Sequence, residues 1–193
     1  MKKERMITME SNRTFLGAAV TVFAGYLSGV ITVLLRGVEN GDLVLQYLNS
    51  QTETNWLRAF GAGPLYVLLV FCCGVFLFGW LVALPLVFYK SYGLGYTAGL
   101  FLAVYGAKGF LPLGLCVFPS AAAECLLLIR AARDALPLSF SLFRGWKGDT
   151  TPFFQDLKPY FLRSLVIVQC SSFVLLWDLF LSPLILSGIR DLL

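Results

Sequence analysis

Charged residues divide this chain into long apolar runs, and the runs have the lengths of membrane spans. Arg13 and Arg36 bracket Thr14–Leu35, 22 residues without a charge. About 20 apolar residues suffice to cross the hydrocarbon core as a helix. The next uncharged run lies between Arg58 and Lys90. Gly61, Gly63 and Pro64 mark its start and Pro85 a kink near its end, which predicts one helix over about 64–88. Residues 91–107, between Lys90 and Lys108, are rich in glycine and short for a full span. They either cross as a tightly packed helix or belong to a broken or re-entrant pair, which a membrane allows only where protein or water covers the irregular backbone. Residues 110–129 form a fourth segment, with Pro112, Pro119 and one acid, Glu124; residues 160–186 form a fifth, with Asp178 and Pro183. The pattern predicts an all-α polytopic membrane protein, a single domain over 1–193 with about five transmembrane helices and short outer and inner interfacial segments.

Two connections have room for structure. In the outer one, 36–61, Ser50-Gln51-Thr52-Glu53 fits a capping box ahead of Trp56, Leu57 and Phe60. The inner one, 130–159, mixes basic residues with Leu138, Phe140, Phe143 and Trp146, a composition suited to lying on an anionic membrane surface. Thr151-Pro152 reads as a helix start.

Composition excludes whole classes of function. Apolar residues make up 58% and charged residues 13%, the latter about half the ~25% usual in soluble domains. Mean hydropathy is +0.78. Too little polar surface is available for a soluble enzyme, a disordered chain or a nucleic-acid-binding domain. There is no histidine, so His-ligated metal sites and Ser–His or Cys–His nucleophile pairs are excluded. Cys72, Cys73, Cys116, Cys125 and Cys170 sit in apolar runs and read as small hydrophobes. No catalytic residue, cofactor or metal is expected. With the N-terminus inside, eleven of the 15 basic residues, Lys90 among them, face the inner side and four the outer. The positive-inside rule therefore places the N-terminus inside and the C-terminus outside a cell membrane.

Two stripes of small residues recur every four positions: Gly17, Thr21, Gly25 and Gly29 in the first span, and Ser91, Gly95, Gly99, Ala103 and Ala107 in the third. Such faces let helix backbones approach closely. They serve either packing within the bundle or, for the freer first span, docking of a partner's transmembrane helix. Glu124 and Asp178 are acids within apolar runs, and an intramembrane acid faces the protein interior, a cavity or an interface. A structural role, a partner contact and an ion or proton path all remain open for them.

Gly74-Val-Phe-Leu-Phe-Gly79, Lys90-Ser-Tyr-Gly-Leu-Gly-Tyr-Thr-Ala-Gly99, Gly106-Ala-Lys-Gly109, Pro119 and the closing Leu181-Ser182-Pro183 occur in this order. Together they resemble the stage II sporulation protein M family of integral membrane proteins. The motif positions carried over are Lys90, Gly95, Thr97, Gly99, Gly109, Pro119 and Pro183. The sequence departs from many sporulation members after Pro119, where it reads Ser-Ala-Ala-Ala-Glu124. The resemblance implies a non-catalytic scaffold of the engulfment machinery at the sporulation septum. Its partners would be single-span peptidoglycan-remodelling enzymes, a lytic transglycosylase and an amidase; beside these, the lipid bilayer is an expected partner and a homo-oligomer a further option. The alternative is a membrane subunit of a small transporter or permease, since glycine-broken helices with intramembrane acids build such sites.

Overall fold

The computed structural model describes residues 2–36, 63–106, 113–114, 118–146 and 153–181, and these form an all-α bundle. In chain order the helices are α1 (Lys2–Arg36), α2 (Pro64–Val75), α3 (Gly79–Tyr105), α4 (Phe118–Trp146) and α5 (Phe153–Leu176). A π-helical turn, Trp177–Leu181, extends α5. The expected capping box at 50–53, the helix start at Thr151-Pro152, and Gly109 and Pro183 lie outside the described residues.

Among the described residues two helices are long and apolar enough to cross a membrane: Thr14–Leu35 within α1, with mean hydropathy 2.0, and Leu157–Phe180, with 1.5. Both turn large apolar side chains outward. Leu16, Val20, Phe23 and Leu34 are exposed on α1, and Leu165, Val166 and Phe173 on α5. In water such contiguous apolar surface is aggregation-prone. It suits a membrane-associated bundle, where lipid covers it.

Two expected boundaries move. The helix expected over 64–88 is broken at Phe76–Phe78, and the second part runs through Lys90 without interruption to Tyr105. Lys90 is therefore a residue of a helix interior and not a loop charge at the inner surface. The break has no polar turn residue: its backbone closes on itself, with Phe76 N–H donating to the Cys73 carbonyl, Gly79 N–H to Phe76 and Leu81 N–H to Phe78, and a residue distant in sequence completes it. Ser139 on α4 donates its hydroxyl hydrogen to the Phe76 carbonyl at 2.8 Å and accepts from the Trp80 backbone N–H at 3.0 Å. Gly79, with no side chain, lets the chain fold back onto the Cys73 carbonyl. Ser139 is fully buried, so Ser139→Ala strands the Trp80 N–H, while the Phe76 carbonyl keeps the Gly79 N–H at 3.1 Å. We expect it to lower stability by about 1–3 kcal/mol, the desolvation cost of unsatisfied buried groups, read from thermal unfolding of the purified protein in detergent. An unchanged midpoint would show that the turn closes without this serine.

The second correction concerns 130–146, expected to lie along the inner surface. Here α4 continues unbroken. The reason is a helical face of small and apolar residues, Leu128, Ala131, Ala132, Ala135, Leu138 and Ser139, all buried, at the 3–4-residue spacing of an amphipathic helix. Pro119 does not sit inside a span over 110–129 but in the first turn of α4, where a proline's missing N–H removes no bond.

Successive elements alternate in direction. Gly25 meets Phe88 and Ser91, Gly29 meets Tyr92 and Tyr96, and Val33 meets Gly99, so α1 and α3 run parallel. Glu124 meets Lys90 and Ser139 meets Trp80, so α4 is antiparallel to α3. Gly63 meets Glu124 and Gly74 meets Ala135, so α2 runs with α4. Tyr160 lies near Ala135, and Asp178 bonds to Ser120, so α5 is antiparallel to α4. The Tyr160 hydroxyl donates to the Phe71 carbonyl at 2.6 Å, and Gly74 makes room for its ring. Ser164, Ile167 and Ser171 continue the buried face of α5.

Candidate functional site

The two small-residue stripes face each other. A methyl group on Gly25 would stand 2.6 Å from the Phe88 carbonyl oxygen, and one on Gly29 would run into the Tyr92 carbonyl. From the other side, a methyl group on Gly95 would strike the backbone of Tyr26, and one on Gly99 would lie 3.1 Å from Cβ of Val33. Backbone touches backbone along this seam, which only glycine permits. The first-span face, expected to serve either packing within the bundle or docking of a partner, is packed by α3 at Gly25 and Gly29. Nothing lies within 4 Å of a methyl group built on Gly17. Thr21 donates to the Gly17 carbonyl of its own helix at 2.9 Å, and Thr97 does the same to Gly93 at 3.0 Å. Hydroxyls spent on their own helix in this way need no outside partner.

The charged cluster starts at Lys90, within the stretch of α3 that meets Gly25. Lys90 Nζ stands 2.7 Å from Glu124 Oε2, with side-chain exposures of 12% and 10%. The contact is an ion pair outside directed hydrogen-bond geometry, so Oε2 retains acceptor capacity. Lys90 also lies over the Tyr66 ring, 5.6 Å from its centroid. Gly63, the residue before α2, presses against the Glu124 carboxylate, and a side chain there would displace it. The N-terminal end of α2, with its partial positive charge, is thereby aimed at an anion. Asp178, in the π turn after α5, hydrogen-bonds to Ser120 in the first turn of α4.

The depth of this cluster follows from the seam. Lys90 is level with Gly25, near the middle of Thr14–Leu35. Helix α2 has 12 residues, about 18 Å at 1.5 Å per residue, against a hydrocarbon thickness of about 30 Å. It starts at the level of the cluster and descends roughly to the start of Thr14–Leu35 on α1. Beside the cluster an apolar groove of about 460 Å³ separates α2 from α3, lined by Leu65, Tyr66, Leu69, Val82, Pro85, Leu86 and Tyr89. Among the described residues no group of three or more His, Cys, Asp or Glu gathers for a metal.

Of the residues singled out in the sequence, Lys90 and Glu124 come together, as do Gly25 and Gly29 with Gly95 and Gly99, while Asp178 bonds to Ser120. Sequence reasoning missed Tyr66, Ser120 and Ser139. Tyr66, two residues after Pro64, carried a signal: an aromatic ring in the first turn of a helix started by Gly-Pro. Ser120 and Ser139 carried none, since lone serines in apolar helices are common. Comparison with family models, with curated proteins and with solved structures finds no match to this chain.

Proposed function

We propose that this chain is an integral membrane protein with its N-terminus inside and C-terminus outside. It acts as a non-catalytic scaffold for peptidoglycan-remodelling enzymes in the sporulation engulfment machinery, as the resemblance to the stage II sporulation protein M family implies. The observation that carries the reading is the use of the motif segment. Its glycines hold α3 on α1 and its lysine holds α4 on α3, which is what a segment serving architecture and not chemistry should do. With Lys90 inside the bundle, ten basic residues remain on the inner side against four outside, and the inside bias stands. A partner's single span would meet the outward face of α1, at Leu16, Val20, Phe23 and Leu27, because the glycine face is filled.

Affinity purification in mild detergent from sporulating cells tests this. A lytic transglycosylase and an amidase are expected to co-purify, and bulky polar substitutions at Val20 and Phe23 should release them while the protein still accumulates. An intact protein that brings down neither enzyme would overturn the scaffold reading.

A second reading, a transporter subunit, is favoured by the charged cluster, since half-length helices ending beside intramembrane charges are how secondary transporters build binding sites. The pair Lys90→Met with Glu124→Leu separates the two. Scaffolding survives it and solute flux does not.

A further inference from the structure

At one end of the bundle the turn between α2 and α3 meets the last turns of α4, and four aromatic rings join there. Trp80 packs edge-on against Phe140, with ring centroids 6.1 Å apart; Phe140 touches Phe143 at 6.4 Å, and Phe143 touches Phe78 at 5.9 Å. Phe76, Phe78 and Phe140 are nevertheless exposed. Arg144, one helical turn after Phe140, lays its guanidinium over the Phe140 ring, 4.8 Å from the centroid. Arg144 is itself exposed, and among the described residues it makes no ion pair or hydrogen bond.

Depth sets the surroundings of these side chains. Lys90 lies near the middle of the apolar span of α1. Trp80 is ten positions before it on α3, about 15 Å at 1.5 Å per residue, and so at the edge of a hydrocarbon core about 30 Å thick. Ser139 bonds to the Trp80 N–H and marks the same level on α4. Arg144 is five positions further out, about 7 Å, within the headgroup layer of about 5–8 Å that borders the core on each side. Charge at this end is positive: residues 130–146 and 153–163 carry five basic and two acidic side chains, and residues 2–13 of α1 four and two.

We propose that Arg144, held on the Phe140 ring, grips the phosphate of an acidic phospholipid. The ring covers one face of the guanidinium and leaves the N–H fork, which lies in the guanidinium plane, open to a ligand. A fork held in this way bonds two phosphate oxygens at once and loses little freedom in doing so. An acidic lipid fits better than a zwitterionic one, whose ammonium group would add to an end that is already positive. The exposed rings of Phe76 and Phe78 lie at the core boundary, where acyl chains cover them; a soluble acidic peptide supplies no such cover. The proposal rests on the reading of the chain as an integral membrane protein and not on the scaffold role.

The measurement is lipid binding to the full-length protein in a neutral detergent, by native mass spectrometry, with phosphatidylglycerol and phosphatidylcholine of the same acyl chains titrated separately. Wild type is expected to bind phosphatidylglycerol about tenfold more tightly or better, the worth of a charge-assisted bidentate contact. Arg144→Gln removes charge and fork and is expected to erase that preference. Arg144→Lys keeps the charge without the fork, and Phe140→Leu keeps the arginine without the ring beneath it; each is expected to weaken phosphatidylglycerol binding about threefold or more. Arg144 is exposed near the end of α4, so its variants read binding and not folding. A wild-type protein that binds both lipids alike, or an Arg144→Lys variant that binds phosphatidylglycerol like wild type, overturns the proposal and leaves the membrane reading standing. Alkaline carbonate extraction of membranes checks that reading separately: a protein released by it overturns both.

Discussion

Gly29→Ala and Gly95→Ala should each destabilise the bundle, while Gly17→Ala and Gly93→Ala should not. All four are the same chemical change in a helix, so intrinsic propensity favours alanine at each by up to about 1 kcal/mol. What differs is the space. At Gly29 and Gly95 the new methyl group meets the backbone of the opposing helix, whereas nothing lies within 4 Å at Gly17 or Gly93. Backbone gives way only if the two helices separate along their length. Such overpacking costs about 1–3 kcal/mol, occasionally more. Separation also undoes the neighbouring contacts at Gly25 and Gly99, so leucine at Gly29 should prevent stable accumulation. Unfolding midpoints of the four alanine variants, measured side by side in one detergent, check the contrast. Equal midpoints for Gly29→Ala and Gly17→Ala would mean that α1 and α3 do not touch as described. The same experiment bears on partner docking. If Gly29→Leu left the protein stable but released a bound enzyme, the glycine face would be a docking surface after all.

The second large effect belongs to the ion pair. Lys90→Met leaves the Glu124 carboxylate buried without its cation, and removing one partner of a buried pair costs about 3–5 kcal/mol. Glu124→Leu leaves the ammonium in the same position. Combining the two removes both charges and replaces them with apolar groups of similar reach, which is often neutral or even stabilising. The double variant is therefore expected to be more stable than either single one, with a coupling energy of up to about 3 kcal/mol between the sites. Glu124→Gln is the milder test, since the amide still bonds but carries no charge. Unfolding midpoints of the three variants beside wild type form the cycle. If the two single losses simply added in the double variant, the 2.7 Å contact would be incidental to stability.

Apolar runs without charge announced the helical, membrane-associated character of the chain, because hydropathy and helix length are local quantities. The period of four in the two glycine stripes likewise marked the faces that pack, since each helix sets its own periodicity. Glu124 and Asp178 stood out because an acid in an apolar run needs a reason. Two things were decided only by the tertiary structure. One is where the chain turns. The charge at Lys90 marked the wrong place, because its cost is offset by Glu124 on another helix, 34 positions away, while the true turn at Phe76–Phe78 is closed by Ser139 and carries no local sign. The other is which faces meet. Both stripes were visible in the sequence, but their pairing with each other depends on backbone-to-backbone fit across 60 or more positions. Periodicity along one helix carries no information about which other helix fills its groove.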